Sequence, residues 1–259
     1  MKNTNTYQVL KYYSQFRPLF LSVLRAKEVC LYTKYLPMKH PSIDVGCGDG
    51  FFARQTFGEN EIDIGLDMKS SRMKDVEKQS AYKKLVTYDG YTFPFSNNTF
   101  NTVVSNSVFE HVDELPRVVS EIYRVLKPKG KMYTTVMAYP WEEYLLGATV
   151  FGNTYRKIMR TKQHHINLYT FIQWKKVFEQ VGFRIVSVTG HGSKHASRMI
   201  DVLHYVSIPS LISYVLFGTW VLWPSVVHPF PLQYFSRVMD EPVEPQKAAA
   251  LFFVLEKSI

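Results

Sequence analysis

Ile43-Asp44-Val45-Gly46-Cys47-Gly48-Asp49-Gly50-Phe51-Phe52 passes from a short apolar run, through glycines at every second position, into a helical pattern. Glycines at a strand-to-helix turn tolerate positive φ and let a ligand approach the backbone closely. The first turn of the helix also leaves N–H groups without intrahelical partners, which suits an anionic group. Taken alone, this spacing is weak evidence and also fits a plain tight turn, so its meaning rests on the residues downstream. About twenty residues on, the apolar run Ile62-Asp63-Ile64-Gly65-Leu66 ends in Asp67, and an acid at that place can accept both hydroxyls of a ribose. A third run, 85–88, ends in Asp89-Gly90-Tyr91, a second acceptor suited to an adenine amino group. The pattern is G-x-G-x-G, not G-x-G-x-x-G, and no Walker lysine follows. Both points favour a nucleoside that carries no pyrophosphate.

Outward from this turn, short apolar runs alternate with helical stretches. Strands are expected over Ser42–Val45, 62–66, 85–88, 100–105 and 131–137. Helices are expected over 51–57, 70–80 and 115–126, the last strongly amphipathic. After Met137 the alternation pauses for about thirty residues. It resumes with a helix over Phe171–Val181 stopped by Gly182, a strand over 183–189 and a final strand over 249–255. Strands alternating with helices specify an α/β fold, a doubly wound Rossmann-like sheet whose ligands lie beyond the carboxyl ends of the strands. The expected division is an N-terminal helical cap (1–40, broken at Pro18), a core (41–190 and 248–259), an acceptor-pocket cap within it (138–169), and an apolar insertion before the last strand (191–247).

Four blocks in order, Asp44-Val-Gly-Cys-Gly-Asp-Gly50, Gly65-Leu-Asp67, Asp89-Gly-Tyr-Thr-Phe-Pro-Phe-Ser96 and Val104-Ser-Asn-Ser-Val-Phe-Glu-His-Val112 running on to Val125-Leu-Lys-Pro-Lys-Gly-Lys131, resemble class I S-adenosylmethionine-dependent methyltransferases of type 11. The resemblance spans roughly residues 40–190 plus the last strand. It implies a seven-stranded sheet with its last strand antiparallel, and S-adenosyl-L-methionine as cofactor. Carried onto this sequence, it assigns the methionine and ribose portion to Asp44, Gly46, Cys47, Gly48 and Gly50. Asp67 would take the ribose hydroxyls, with Met68 against the adenine and Asp89 and Gly90 at its edge. Asn106 would face the methionine and the reacting methyl.

Methyl transfer from a sulfonium needs no acid to help the leaving group, and positioning alone can supply ~7–11 kcal/mol. A base is needed only for a hydroxyl or a protonated amine. The candidates are His111, in Phe109-Glu-His-Val, and His165, in Gln163-His-His-Ile-Asn-Leu-Tyr-Thr170. Each also has a plain structural reading. His111 could hold a loop carbonyl, and His165 could stand exposed ahead of a helix capped by Thr170. No metal site is expected, because the adjacent side chains of His164 and His165 diverge.

The chain has 259 residues, 46% hydrophobic and 20% charged, enough to bury a core unaided. Two cysteines, Cys30 and Cys47, exclude a disulfide scaffold. With no apolar segment after the first residues, a cytoplasmic location is expected. Net charge is +9, and residues 150–200 hold nine Lys and Arg against the single acid Glu179. The 35 residues 202–236 then contain no Asp, Glu, Lys or Arg. Pro209 and Pro224 enclose an apolar stretch too short to span a bilayer, where about twenty residues are needed. Tyr205, Tyr214, Trp220, Trp223 and Tyr234 are residue types that settle at the headgroup level. Beside a basic run, this favours peripheral contact with the inner face of a membrane over a lid on the substrate cleft or a dimer interface. Nucleic acid ranks lower, since the aromatics do not interleave with the basic residues.

The expected activity is methylation of a hydrophobic or lipid-linked small molecule at O, N or C. The alternatives are a soluble natural-product or sugar methyltransferase with an apolar lid, and an inactive nucleoside-binding subunit. The sequence does not specify the oligomeric state.

Overall fold

The computed structural model describes residues 5–69, 76, 79–222 and 230–258. It contains a seven-stranded sheet in the order β3-β2-β1-β4-β5-β7-β6, with the last strand antiparallel. The strands are β1 (Ser42–Val45), β2 (Ile62–Met68), β3 (Tyr82–Tyr88), β4 (Phe100–Asn106), β5 (Leu126–Met137), β6 (Phe183–His191) and β7 (Ala250–Lys257). The pairs β1–β2, β1–β4, β2–β3 and β4–β5 are parallel. β1 is the topological switch point: its Asp44 lies opposite Gly65 on one side and Val104 on the other. β1 is buried throughout, as a central parallel strand covered on both faces must be.

The chain divides into two compact units. One comprises Tyr32–Ala138, His164–Thr189 and Leu251–Ile259. It contains α3 (Phe51–Thr56), α4 (Leu115–Val125) and α7 (Phe171–Val181). In α4, Leu115, Val118, Val119, Ile122 and Val125 are all buried, the apolar stripe the spacing predicts. α7 starts in a capping box between Thr170 and Gln173 and stops at Gly182, at φ +108°.

The other unit comprises Met1–Leu31, Tyr139–Gln163 and Gly190–Ala250. The N-terminal segment up to Leu31, residues 139–163 and the 191–247 insertion therefore share one compact body, while residues 164–169 of the expected pocket cap fall in the sheet unit. Its helices are α1 (Thr6–Tyr13), most of α2 (Leu19–Tyr32), α5 (Pro140–Tyr144), α6 (Leu146–Lys162), α8 (Lys194–Val206), α9 (Ile208–Phe217) and α10 (Leu232–Asp240). Leu10, Leu19, Val23, Ala26, Ile200, Leu203, Phe235 and Met239 form its core. Within the 139–163 segment Trp141 belongs to the buried interior, whereas Phe151 is 67% exposed.

Two strands begin earlier than their sequence pattern. β3 starts at Tyr82, because Lys83 and Lys84 leave the apolar alternation while the backbone still pairs with Ile62 and Ile64 at the sheet edge. β5 starts at Leu126, opposite Phe100, and a register irregularity absorbs the Lys-Pro-Lys-Gly segment. The polar helix expected over 70–80 falls largely outside the described residues, as does Trp223.

Candidate active site

The glycine turn leaves β1 with Gly46, Gly48 and Gly50 at φ +76°, +58° and +75°. Gly46 and Cys47 donate their amides to the Leu66 carbonyl at 2.8 and 3.2 Å, which ties the turn to the end of β2. A Cβ at Gly46 would stand 2.4 Å from a methyl of Val108, so both backbone and space demand glycine there. A Cβ at Gly48 would meet nothing within 4 Å. The turn is thus packed on one side and open at Gly48.

Asp67, at the end of β2, closes onto this turn. Its carboxylate accepts from the Gly48 amide at 2.6 Å and from its own neighbour Met68 at 2.7 Å. Met68 is 55% exposed, and its sulfur lies against Gly90, where a Cβ would come within 2.8 Å of Sδ. These residues, drawn from the end of β2 and from the loops after β1 and β3, form one continuous surface at the carboxyl ends of the three strands. Open space above Gly48, an acid beside it and an apolar sulfur next to a bare glycine fit a ribose and an aromatic base.

Four further expected residues act through the framework. Asp44 is buried, and the Tyr82 hydroxyl donates to it at 2.6 Å. Burial pushes its carboxyl up to about 7, against the Tyr82 hydrogen bond and with the charge of Asp67. Burial likewise pushes the Cys47 thiol far up, so it is no thiolate nucleophile. Asp89 accepts from the amides of Thr92 and Tyr91 through one oxygen, and these bonds hold its carboxyl below the usual range. That oxygen caps its own turn. Asn106 donates to the Thr135 hydroxyl at 2.6 Å, which ties the end of β4 to β5.

Two tyrosines that carry no sequence signal support the site. Tyr82 holds Asp44. Tyr32 donates to the Ser105 carbonyl at 2.7 Å and accepts from the Thr135 amide at 3.2 Å, buttressing the end of β4. Neither belongs to a chemical motif. One begins an edge strand and the other ends a helix, places that say nothing of a distant partner.

Beyond β4 the chain forms a tight 3-10 turn, Phe109–His111. The segment before α7 clamps onto it. Ile166 and Asn167 donate amides to the Glu110 carbonyl at 2.7 and 3.0 Å, and the Asn167 side chain bonds the carbonyls of Phe109 and Val112. His111 Nδ1 donates to the His164 carbonyl at 3.0 Å. A left-handed turn at His164 (φ +52°) presents His165 to His111, with ring centroids 5.3 Å apart. His165 is buried and Glu110 wholly so, while His111 is exposed. For His111 the structural and chemical readings coexist, whereas burial of His165 overturns its reading as an exposed residue ahead of α7. His111 does hold a loop carbonyl, Thr170 does cap α7, and the two imidazoles still meet. One ligand-type atom from each of Glu110, His111 and His165 lies within 4.8 Å of the others.

Residues 43–134 match the family model described as "Methyltransferase domain". A demethylmenaquinone methyltransferase of Symbiobacterium thermophilum is 26% identical over 185 residues, covering 61% of this chain and 73% of that protein. A bifunctional biotin biosynthesis protein of Saccharophagus degradans is 30% identical over 177 residues, covering 65% of this chain but only 29% of its own length. Among solved structures, a SAM-dependent methyltransferase of Thermotoga maritima superposes with a TM-score of 0.59 at 15% identity, covering 98% of this chain and 100% of its own.

Proposed function

From the premise that this chain belongs to the type 11 class I methyltransferases, enzymes that use S-adenosylmethionine, we propose that it methylates a hydrophobic or lipid-linked small molecule at a membrane surface. When bound, the cofactor supplies an electrophilic methyl on a sulfonium that departs as a neutral thioether. The protein's task is then to bind, to orient and to handle one proton. Asp67 would take the ribose hydroxyls beside Gly48, and Met68 and Gly90 would flank the base, with Asp89 holding that turn. Asp44, Gly46, Cys47 and Gly50 shape the glycine turn under the methionine and ribose. Asn106, fixed to Thr135, would face the reacting methyl. For a hydroxyl acceptor, His165 or His111 removes the proton as the oxygen attacks.

The observation that carries the membrane reading is α9. It has no charged residue, and of its ten residues Ser213 alone is buried. Leu211, Ile212, Val215, Leu216 and Phe217 are all exposed, the last three by 73%, 67% and 62%. A contiguous apolar surface of this kind marks a contact site. No single described helix is long and apolar enough to cross a membrane. The pair α8 and α9, bent by 45°, passes that test together by length and composition, which suits insertion from one side. Arg156, Lys157, Lys162, Lys194 and Arg198 lie on helices of the same unit. Each basic residue near an anionic leaflet contributes about 1 kcal/mol. The demethylmenaquinone relative supports an apolar acceptor.

The test combines co-sedimentation on vesicles with and without anionic lipid and transfer of labelled methyl from the cofactor into a lipid extract. Pelleting that increases with anionic lipid, with label in the organic phase, is expected. Protein that stays in the supernatant at low salt, with label only in water-soluble products, would favour the lid reading instead.

A further inference from the structure

We propose that Glu110, His111 and His165 form a divalent-metal site of the borderline type that zinc prefers, with two imidazoles and one carboxylate as ligands. The inference goes beyond methyl transfer and does not need it. Sequence neighbours would pair His164 with His165, whose side chains diverge. The fold instead pairs His165 with His111, across the clamp of the 164–167 segment on the 109–111 turn. Glu110 then joins them, and the three ligand-type atoms lie within 4.8 Å of one another.

Three features suit a cation. The donor set, His₂Glu, matches borderline divalent ions better than magnesium or calcium, which prefer all-oxygen shells. A zinc-like ion about 2.0–2.2 Å from each ligand would draw the donors to about 3.4 Å apart, a modest closure from their present separation. His111 is already oriented by its Nδ1 bond to the His164 carbonyl, the outer support that metal-bound histidines usually have. Glu110 is anchored as well, by the Met137 amide at 3.4 Å on Oε1 and by two amides on its own carbonyl. With two ligands buried and one exposed, an ion there would keep a position open towards solvent. If methyl transfer is to an oxygen, a hydroxyl acceptor could coordinate at that position and lose its proton to water, leaving an oxygen lone pair for the methyl carbon. The imidazoles would then serve as ligands, not as bases.

The experiment uses the full chain, stripped with a chelator and titrated with Co²⁺ and Zn²⁺ without cofactor or acceptor, so its failure would leave the methyltransferase reading intact. One equivalent of Co²⁺ with the visible absorption of a low-coordinate site, displaced by one equivalent of Zn²⁺, is expected. His111→Ala should weaken binding at least about tenfold, with only the small fall in metal-free melting temperature that loss of its bond to the His164 carbonyl brings. His111→Cys should restore binding and add a thiolate-to-cobalt charge-transfer band. No stoichiometric Co²⁺ uptake by the wild-type chain would overturn the proposal. So would wild-type affinity in both His111→Ala and His165→Ala, or a His111→Cys complex without the new band.

Discussion

The Gly48 amide donates to the Asp67 carboxylate at 2.6 Å, so the acid proposed to take the ribose also holds the glycine turn. Asp67→Ala should therefore weaken S-adenosylmethionine binding by about 1.5–3 kcal/mol, the scale of a lost hydrogen bond to a charged group. It should also lower the melting temperature, because the amide loses its acceptor. Asp67→Asn keeps an acceptor oxygen and should recover the stability but not the full affinity. Calorimetry and thermal unfolding of the two variants separate the roles, and unchanged affinity in both would remove the ribose assignment.

Gly46 and Gly48 share positive φ but differ in their surroundings. Gly46→Val meets Val108 and should destabilise the fold by more than the roughly 1–2 kcal/mol of left-handed strain. Gly48→Val carries the strain alone, since a Cβ there meets nothing. It should stay folded yet lose cofactor binding, because its side chain fills the space a ligand would use. Chemical denaturation beside a binding isotherm would show this; equal destabilisation by both substitutions would count against an open ligand face at Gly48.

Asp44 provides a pH signature. Its ordinary value is 3.8, and burial raises it to about 7. A group that binds its proton more tightly when folded contributes its full stabilisation below about pH 4, where both states are protonated. Stability from this group then falls as pH rises from about 4 to about 7, and stays at its lowest above that. Asp44→Asn should remove this loss, so the variant gains on the wild type from pH 5 to pH 8. His191, held down to about 4 by burial, acts in the reverse sense between about 6.5 and 4 and is common to both proteins. The difference between the two unfolding free energies is the quantity to measure, and a difference independent of pH would contradict the Asp44 assignment.

For an acceptor hydroxyl, His165→Ala and His111→Ala should each lower kcat by about 10²–10⁴-fold with cofactor affinity unchanged. Because the rings are 5.3 Å apart in one clamp, the double variant should cost little more than the worse single one. Steady-state kinetics on all three proteins decides this. Full activity in both single variants would mean that positioning suffices, or that the nucleophile needs no base.

Val215→Asp combined with Phe217→Asp should abolish vesicle binding, since each side chain withdrawn from an apolar phase forfeits about 1.5–3 kcal/mol. Cofactor affinity should persist, and the wild-type attraction to anionic vesicles should weaken with salt as its basic residues are screened over about 8–10 Å. Retained pelleting by the double variant would exclude α9 as the contact.

The sequence by itself determined the parallel sheet, its switch point and the glycine turn with its acids, because these depend on local periodicity and on backbone conformations only glycine adopts readily. Ile43 to Phe51, Asp67 and Asp89-Gly90 could be read in place for that reason. The capping box at Thr170 and the stop at Gly182 were legible on the same local grounds. What needed tertiary structure was every pairing of residues far apart in the chain. Tyr82 meets Asp44 only because β3 lies on β2, and Tyr32 meets Ser105 only because α2 ends under β4. His165 meets His111 because a left-handed residue and a set of backbone hydrogen bonds turn it away from His164, which sequence adjacency alone would have made its companion. The absence of charge along 202–236 was plain in the sequence, but not whether its apolar side chains were buried. Burial depends on which neighbours the fold supplies, and for α9 it leaves Val215, Leu216 and Phe217 facing solvent.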